Sequence, residues 1–189
     1  MSLHEKFPLP GAPLDGGAPP DKDAPLDGGA PPDGGAPPSQ VIAAARGWLG
    51  TPYIHQASAK GAGSDCLGLI RGVWRELYGG EPESPPPYAP DFNERALARD
   101  QSEPLLEAAR RNLLPAAGVA PGAVLIFRIV RNGPAKHCGI LTAPDRFIHA
   151  YAGRAVIEGW YGRWWRERLA GAFLFPAVAR APGPATRKA

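Results

Sequence analysis

Two cysteines in 189 residues exclude a disulfide scaffold, which small secreted domains build from many more. No run of 18 or more apolar residues occurs, so no segment reads as a membrane-spanning helix. The opening, MSLHEKFPLPGAPLDGG, lacks a basic stretch followed by a continuous apolar one. A secretory signal is therefore not expected, and the protein is expected to be made in the cytoplasm without one. Apolar side chains are scarce throughout the first 38 residues. From Leu9 to Pro38 the chain reads as five hexads, LPGAPL, DGGAPP, DKDAPL, DGGAPP and DGGAPP, each with Ala-Pro at its fourth and fifth positions. A six-residue period suits a β-helix only when apolar residues stack inside it, and only Leu9, Leu14 and Leu26 are available. Residues 1–38 are accordingly expected to be a disordered Pro/Gly spacer, too poor in apolar surface to offset their ordering entropy.

The spacer hides the charge of the rest. It holds two Lys/Arg and six Asp/Glu of the chain's 21 and 18, which leaves 19 basic and 12 acidic residues, a net of +7, over residues 39–189. A basic domain favours anionic partners such as nucleic acid or wall polymers.

Ser39 followed by QVIAAARGWLG predicts an N-capped helix through Leu49 stopped at Gly50. Residues 51–65, TPYIHQASAKGAGSD, read as a loop of small residues. After Cys66 the spacing of Leu67, Ile70, Val73, Trp74 and Tyr78 predicts a second helix ended by Gly79-Gly80. EPESPPPYAPDF, residues 81–92, is too rich in proline for regular structure. A charged helical region is expected over 93–112, interrupted near Pro104. From Gly122 the pattern turns to strands, AVLIFRIV, HCGILT, RFIHAY, AVIEGW and GAFLFP, separated by short turns. The polar tail, residues 179–189, is expected to be disordered. Helices first and an antiparallel sheet second is the order of an α+β domain, here over residues 39–178.

Cys66 stands where a glycine-rich loop becomes a helix. Unpaired N–H groups and the positive end of the helix dipole there favour thiolate over thiol. Gly61, Gly63 and Gly68 let other groups approach closely. A thiolate nucleophile needs an imidazole to move protons. His4 precedes the hexads, and His55 could serve a substrate or cap its loop. His137 opens the strand HCGILT, and His149 lies on the next strand. If these strands pair through APDR, both rings share a face and one can orient the other. A lone strand histidine is more often a structural hydrogen-bonder, so spacing by itself leaves the roles open.

The runs ARGWLGTPYIHQASAKGAGSDCLGLIRGVWRELYG, PGAVLIFR, AKHCGIL, FIHAYAGRAVIEGWYG and RWWRERLAGAFLFP resemble the NlpC-type cell-wall cysteine peptidases, most closely the branch associated with phage tails and gene transfer agents. The resemblance covers about residues 40–176. It implies a papain-like NlpC-type fold, with N-terminal helices packed on a central antiparallel sheet. It matches Cys66 to the nucleophile, His137 to the base and His149 to the group that orients the base. Tyr53 matches a tyrosine lining the site, and Asp65 the acidic residue before the cysteine, which fixes the loop or a substrate amine. It further implies hydrolysis of an amide in peptidoglycan stem peptides, typically between γ-D-glutamyl and the following diamino acid, with no metal or organic cofactor. The setting it implies is a phage-like tail or baseplate acting in the periplasm or cell wall, with peptidoglycan as substrate and tail proteins as partners. Leu67, where many members have serine, and Ala123, where aspartate is common, depart from the family pattern.

Three other readings compete with this one. A zinc site from Cys66, His137, Cys138 and His149 has suitable donors, but adjacent His137 and Cys138 should point to opposite faces of a strand. That places Cys138 as a buried residue on the far face. RWWRER could stack on nucleic-acid bases, although tryptophans packed over the sheet beside solvated arginines explain it without specific nucleic-acid binding. A structural tail or baseplate adaptor that retains the peptidase fold is the alternative function.

Overall fold

The computed structural model describes residues 34–88 and 102–177. The hexads before residue 34, the 93–101 part of the expected charged helix and the tail from residue 178 lie outside the described residues.

The fold begins inside the last hexad rather than at Ser39. Gly35 bridges Pro176 in antiparallel fashion, and the Ala36 N–H donates to the Phe175 carbonyl at 2.7 Å. Ala36 is buried in the main core. Helix α1 spans Pro38–Arg46 with proline in its first turn, where the missing N–H costs no hydrogen bond. Ser39 therefore lies within the helix and does not cap it. The chain leaves α1 through a turn that ends at Gly50, whose φ of +83° suits glycine.

The loop of small residues contains a two-stranded hairpin, β1 (Ser58–Ala59) and β2 (Gly63–Ser64). Helix α2, Cys66–Tyr78, starts at Cys66 and stops at Gly79, which is left-handed at φ +79°. It packs closely on the α1 end. A Cβ on Gly72 would lie 1.9 Å from Cζ2 of buried Trp48, whose indole N–H donates to Glu76 at 2.7 Å. Helix α3, Pro104–Asn112, begins at the proline instead of being interrupted by it.

The strands are β3 (Leu114–Pro115), β4 (Val124–Phe127), β5 (His137–Ala143), β6 (Arg146–Ala150), β7 (Val156–Trp160) and β8 (Leu169–Leu174), with the short helix α4 (Arg163–Arg166) before β8. They form one antiparallel sheet in the order β3-β8-β4-β5-β6-β7. Both faces are covered, which is why β4 reads as an unbroken apolar run, VLIF. Val124, Ile126, Cys138, Ile140 and Ile148 join the core that includes Val41, Leu69 and Val73 of α1 and α2. Leu125, Phe127, Leu141 and Phe147 face the other way onto Tyr161 and Trp165. The result is the expected α+β arrangement of helices on a central antiparallel sheet. The tryptophans of RWWRER divide: Trp165 is buried against the sheet, while Trp164 is partly covered by the Arg168 guanidinium at 4.0 Å. Arg166 and Arg168 donate to backbone carbonyls, so these arginines are tied down, whereas Arg163 is exposed. Among the described residues no helix is long and apolar enough to cross a membrane.

Candidate active site

Asp65 makes the start of α2. Its Oδ1 accepts the Gly68 N–H at 2.7 Å, which is an N-cap, and its Oδ2 accepts the Gln56 N–H at 2.7 Å and the Tyr88 hydroxyl at 2.6 Å. His55 Nδ1 stands 3.6 Å from the same oxygen. One buried carboxylate thus binds the helix start, the 51–65 loop and the proline-rich segment together. Gln56 has φ +61°, a left-handed backbone in a non-glycine residue, and this aims its N–H at Asp65. Gly68 lets the loop close on the helix, because a Cβ there would lie 1.9 Å from the Ala57 carbonyl oxygen.

Cys66 is the first residue of α2 and is only partly buried. Its side chain packs against the core that holds Cys138. Its pKa is lowered from 9.0 to about 5. The hydrogen bond with Cys138 contributes most; burial opposes it; the His137 hydrogen bond and charge add to the lowering, and the Asp65 charge works against it. The paired thiol is driven the other way. Cys138 is held well above the usual thiol value, first by its hydrogen bond to Cys66 and then by burial.

His137 and His149 occupy one face of the sheet, as the hairpin predicts. His137 Nε2 and His149 Nδ1 are 2.9 Å apart with the rings edge-on at 89°. His149 is buried, stacked on Phe147 with ring centroids 4.4 Å apart, and Gly159 makes room for it. Burial, reinforced by the charge of His137, pushes the His149 pKa well below 6.5. A neutral His149 can accept the His137 Nε2–H through its own Nδ1, which leaves His137 Nδ1 for the thiol. Trp165 closes over both rings, with centroids 5.3 Å from each.

Tyr53 belongs to the same surroundings. Its pKa is pushed up to about 12 by burial and then by the charges of Cys66 and Asp65. Tyr53, Asp65 and His137 all act on Cys66 at the start of α2, and His149 stands behind His137.

Two neighbours were not legible as such. Cys138 does point away from the His137 face, but that other face is the one covered by α2, so the far-face placement is corrected: Cys138 lies in the core against which Cys66 packs. Tyr88 lies in the proline-rich segment. Its hydroxyl donates to Asp65, its carbonyl accepts from His55 Nε2 at 2.8 Å and from the Gln56 amide, and its ring stands edge-on to His55. Burial and the Asp65 hydrogen bond raise its pKa far above 10.0. An aromatic residue among prolines was the only signal for it. Among the described residues, no group of three or more His, Cys, Asp or Glu is placed to hold a metal ion.

No family model and no curated protein matches the sequence. Solved structures do. An NlpC/P60 family protein from Bacillus cereus ATCC 10987 superposes with a TM-score of 0.50 at 20% identity, over 73% of this chain and 40% of its own, so this chain spans less than half of that protein's length. The NlpC/p60 domain of the peptidoglycan hydrolase SagA superposes with a TM-score of 0.50 at 20% identity, over 72% of this chain and 97% of that domain. Helices on an antiparallel sheet, in the arrangement of these structures, give the chain the α+β papain-like fold of NlpC/P60 proteins.

Proposed function

We propose that the protein is a cysteine peptidase that hydrolyses amide bonds in peptidoglycan stem peptides, with the γ-D-glutamyl-diamino acid bond as its target. The observation that carries this reading is the relay of Cys66 at a helix N-terminus, His137 beside its thiol, and His149 2.9 Å behind His137. The likeness of the fold to the domain of the peptidoglycan hydrolase SagA and the +7 charge of residues 39–189 support a wall polymer as substrate.

In this reading the Cys66 thiolate attacks the carbonyl carbon, and the helix N-terminus, with the Cys66 N–H, stabilises the oxyanion. His137, as imidazolium, protonates the leaving amine and then takes a proton from water as the thioester is hydrolysed. Neutral His149 accepts from His137 Nε2 and keeps the opposite nitrogen facing sulfur. Asp65 fixes the helix start, and Tyr53 lines the approach. The resemblance of the sequence to the phage-tail and gene-transfer-agent branch supports a further proposal, that the enzyme acts from a phage-like tail or baseplate to open the wall locally.

Purified peptidoglycan and defined stem peptides incubated with the protein should release new amino groups, and mass spectrometry of the products should locate the bond. Cys66→Ala should release none. A folded wild-type protein with a titratable Cys66 that releases none would instead favour the structural adaptor.

A further inference from the structure

Asp65 adjoins the nucleophile in the chain, and two uses stand open to it: to fix the loop or to hold a substrate amine. Its acceptors are taken by the protein itself. Oδ1 receives the Gly68 N–H at 2.7 Å, and Oδ2 receives the Gln56 N–H at 2.7 Å and the Tyr88 hydroxyl at 2.6 Å, with His55 Nδ1 3.6 Å away. The carboxylate is buried. Gly68 and Gln56 offer backbone donors of the helix start and its loop, whereas Tyr88 comes from the proline-rich segment 81–88, which is anchored at both ends. Glu81 accepts from Arg71 Nε at 2.7 Å and from Arg75, and the Tyr88 carbonyl accepts from His55 Nε2 at 2.8 Å and from the Gln56 amide. Between the anchors, Pro82, Pro85, Pro86 and Pro87 fix φ and leave the segment little freedom. Tyr88 is thereby held on Oδ2, the acceptor that an incoming amine would need.

We propose that Tyr88 is a specificity residue: by occupying Asp65 it turns away substrates with a free α-ammonium group and selects stem peptides whose amino end is joined in an amide, as it is while the stem remains attached to the glycan. The inference rests on the peptidase reading and names the substrate class of the same site. An α-linked residue spans at most about 3.6 Å and a γ linkage somewhat more, so an amino end two residues before the attacked carbonyl lies within about 10 Å of it. Such an amine enters the surroundings that Asp65 shares with the start of α2. An ammonium there meets the positive end of the helix with the neighbouring carboxylate already engaged, and the loss of its water goes uncompensated. An amide carries no charge and loses nothing by the arrangement. The site thus suits the assembled wall rather than fragments released from it.

Two stem peptides that differ only at the amino end, free in one and acetylated in the other, test this with the full chain. Wild type should cleave the acetylated peptide with a kcat/KM about tenfold higher. Tyr88→Phe keeps the ring and opens one acceptor of Asp65. The ratio of free to acetylated kcat/KM should then rise about tenfold, through the KM of the free peptide, as one charge-assisted hydrogen bond is gained. A merely structural tyrosine would lower both peptides together and leave the ratio as it was. That result, or a wild type that cleaves the free peptide as well as the acetylated one or better, would overturn the proposal. Calorimetric binding of the same peptides to Cys66→Ala needs no turnover and separates this proposal from the peptidase reading. Weaker binding of the free peptide, about tenfold, supports selection by Tyr88 even where wild type cleaves neither, an outcome that sinks the peptidase reading alone. Equal or reversed affinities, or binding of neither peptide, overturn the proposal. Should Tyr88→Phe fail to fold, the preferences of wild type and Cys66→Ala decide.

Discussion

Replacing Asp65 by asparagine should weaken the fold and strengthen the thiolate at the same time. Asp65 is 3% exposed and its carboxylate collects three donors, the Gly68 N–H, the Gln56 N–H and the Tyr88 hydroxyl. Asparagine keeps one oxygen for the helix cap. Its NH2 then faces the Gln56 N–H, which cannot reverse, and the Tyr88 hydroxyl, which can rotate to accept. One buried N–H left without a partner costs about 1–3 kcal/mol, and the loss of the charge-assisted bonds adds about 1 kcal/mol. The total of roughly 2–4 kcal/mol corresponds to a fall in Tm of about 6–12 °C for a domain of this size. The Asp65 charge, however, is one of the influences that raise the Cys66 pKa. Its removal should move the thiolate titration below about 5. Thermal unfolding followed by circular dichroism and the ultraviolet absorbance of the thiolate against pH measure the two effects separately. A titration that shifts upward, or a Tm unchanged within a degree or so, would refute this account of Asp65.

The pH dependence of stability has a defined sign. The Cys66 pKa falls from 9.0 to about 5 on folding, so its contribution is full above pH 9.0, declines as the pH falls, and is gone below about 5. Urea midpoints of the wild type should decline across that window, and Cys66→Ala should remove that part of the slope. His137→Ala should raise the pH at which iodoacetamide reactivity of Cys66 appears, since His137 lowers the thiol pKa by hydrogen bond and by charge; an unmoved profile would separate His137 from the thiol. Gly72→Ala should destabilise by about 1–3 kcal/mol in chemical denaturation, because its methyl would meet the ring of Trp48, which is 1% exposed. A smaller residue at Trp48 in the same chain should recover part of that loss.

The sequence pattern carried the main elements because both ends of α2 announce themselves, Asp-Cys after a glycine-rich loop and Gly79-Gly80 after Tyr78, and because the long strands are bounded by turn residues. It failed where the structure uses fewer residues than a pattern needs. The two-residue strands β1, β2 and β3 have no period to read. Ser39 looked like a cap, but Pro38 starts the helix one residue earlier. The alternation along β5 does set Cys138 opposite His137, but the face it takes is the one that α2 covers. Tyr88 depends on a tertiary meeting with Asp65 that no local spacing encodes.

The pairing of Gly35 with Pro176 also governs how the domain can be attached to anything else. The Ala36 N–H reaches the Phe175 carbonyl at 2.7 Å, and the Ala177 N–H reaches the Gly34 carbonyl at 2.9 Å. The polypeptide therefore enters and leaves the folded unit at one spot. A pull exerted through one flank against the other is borne by this small clasp before it reaches the sheet or α2. Helix α2 is left outside the line of any tension that passes along the chain between these two flanks.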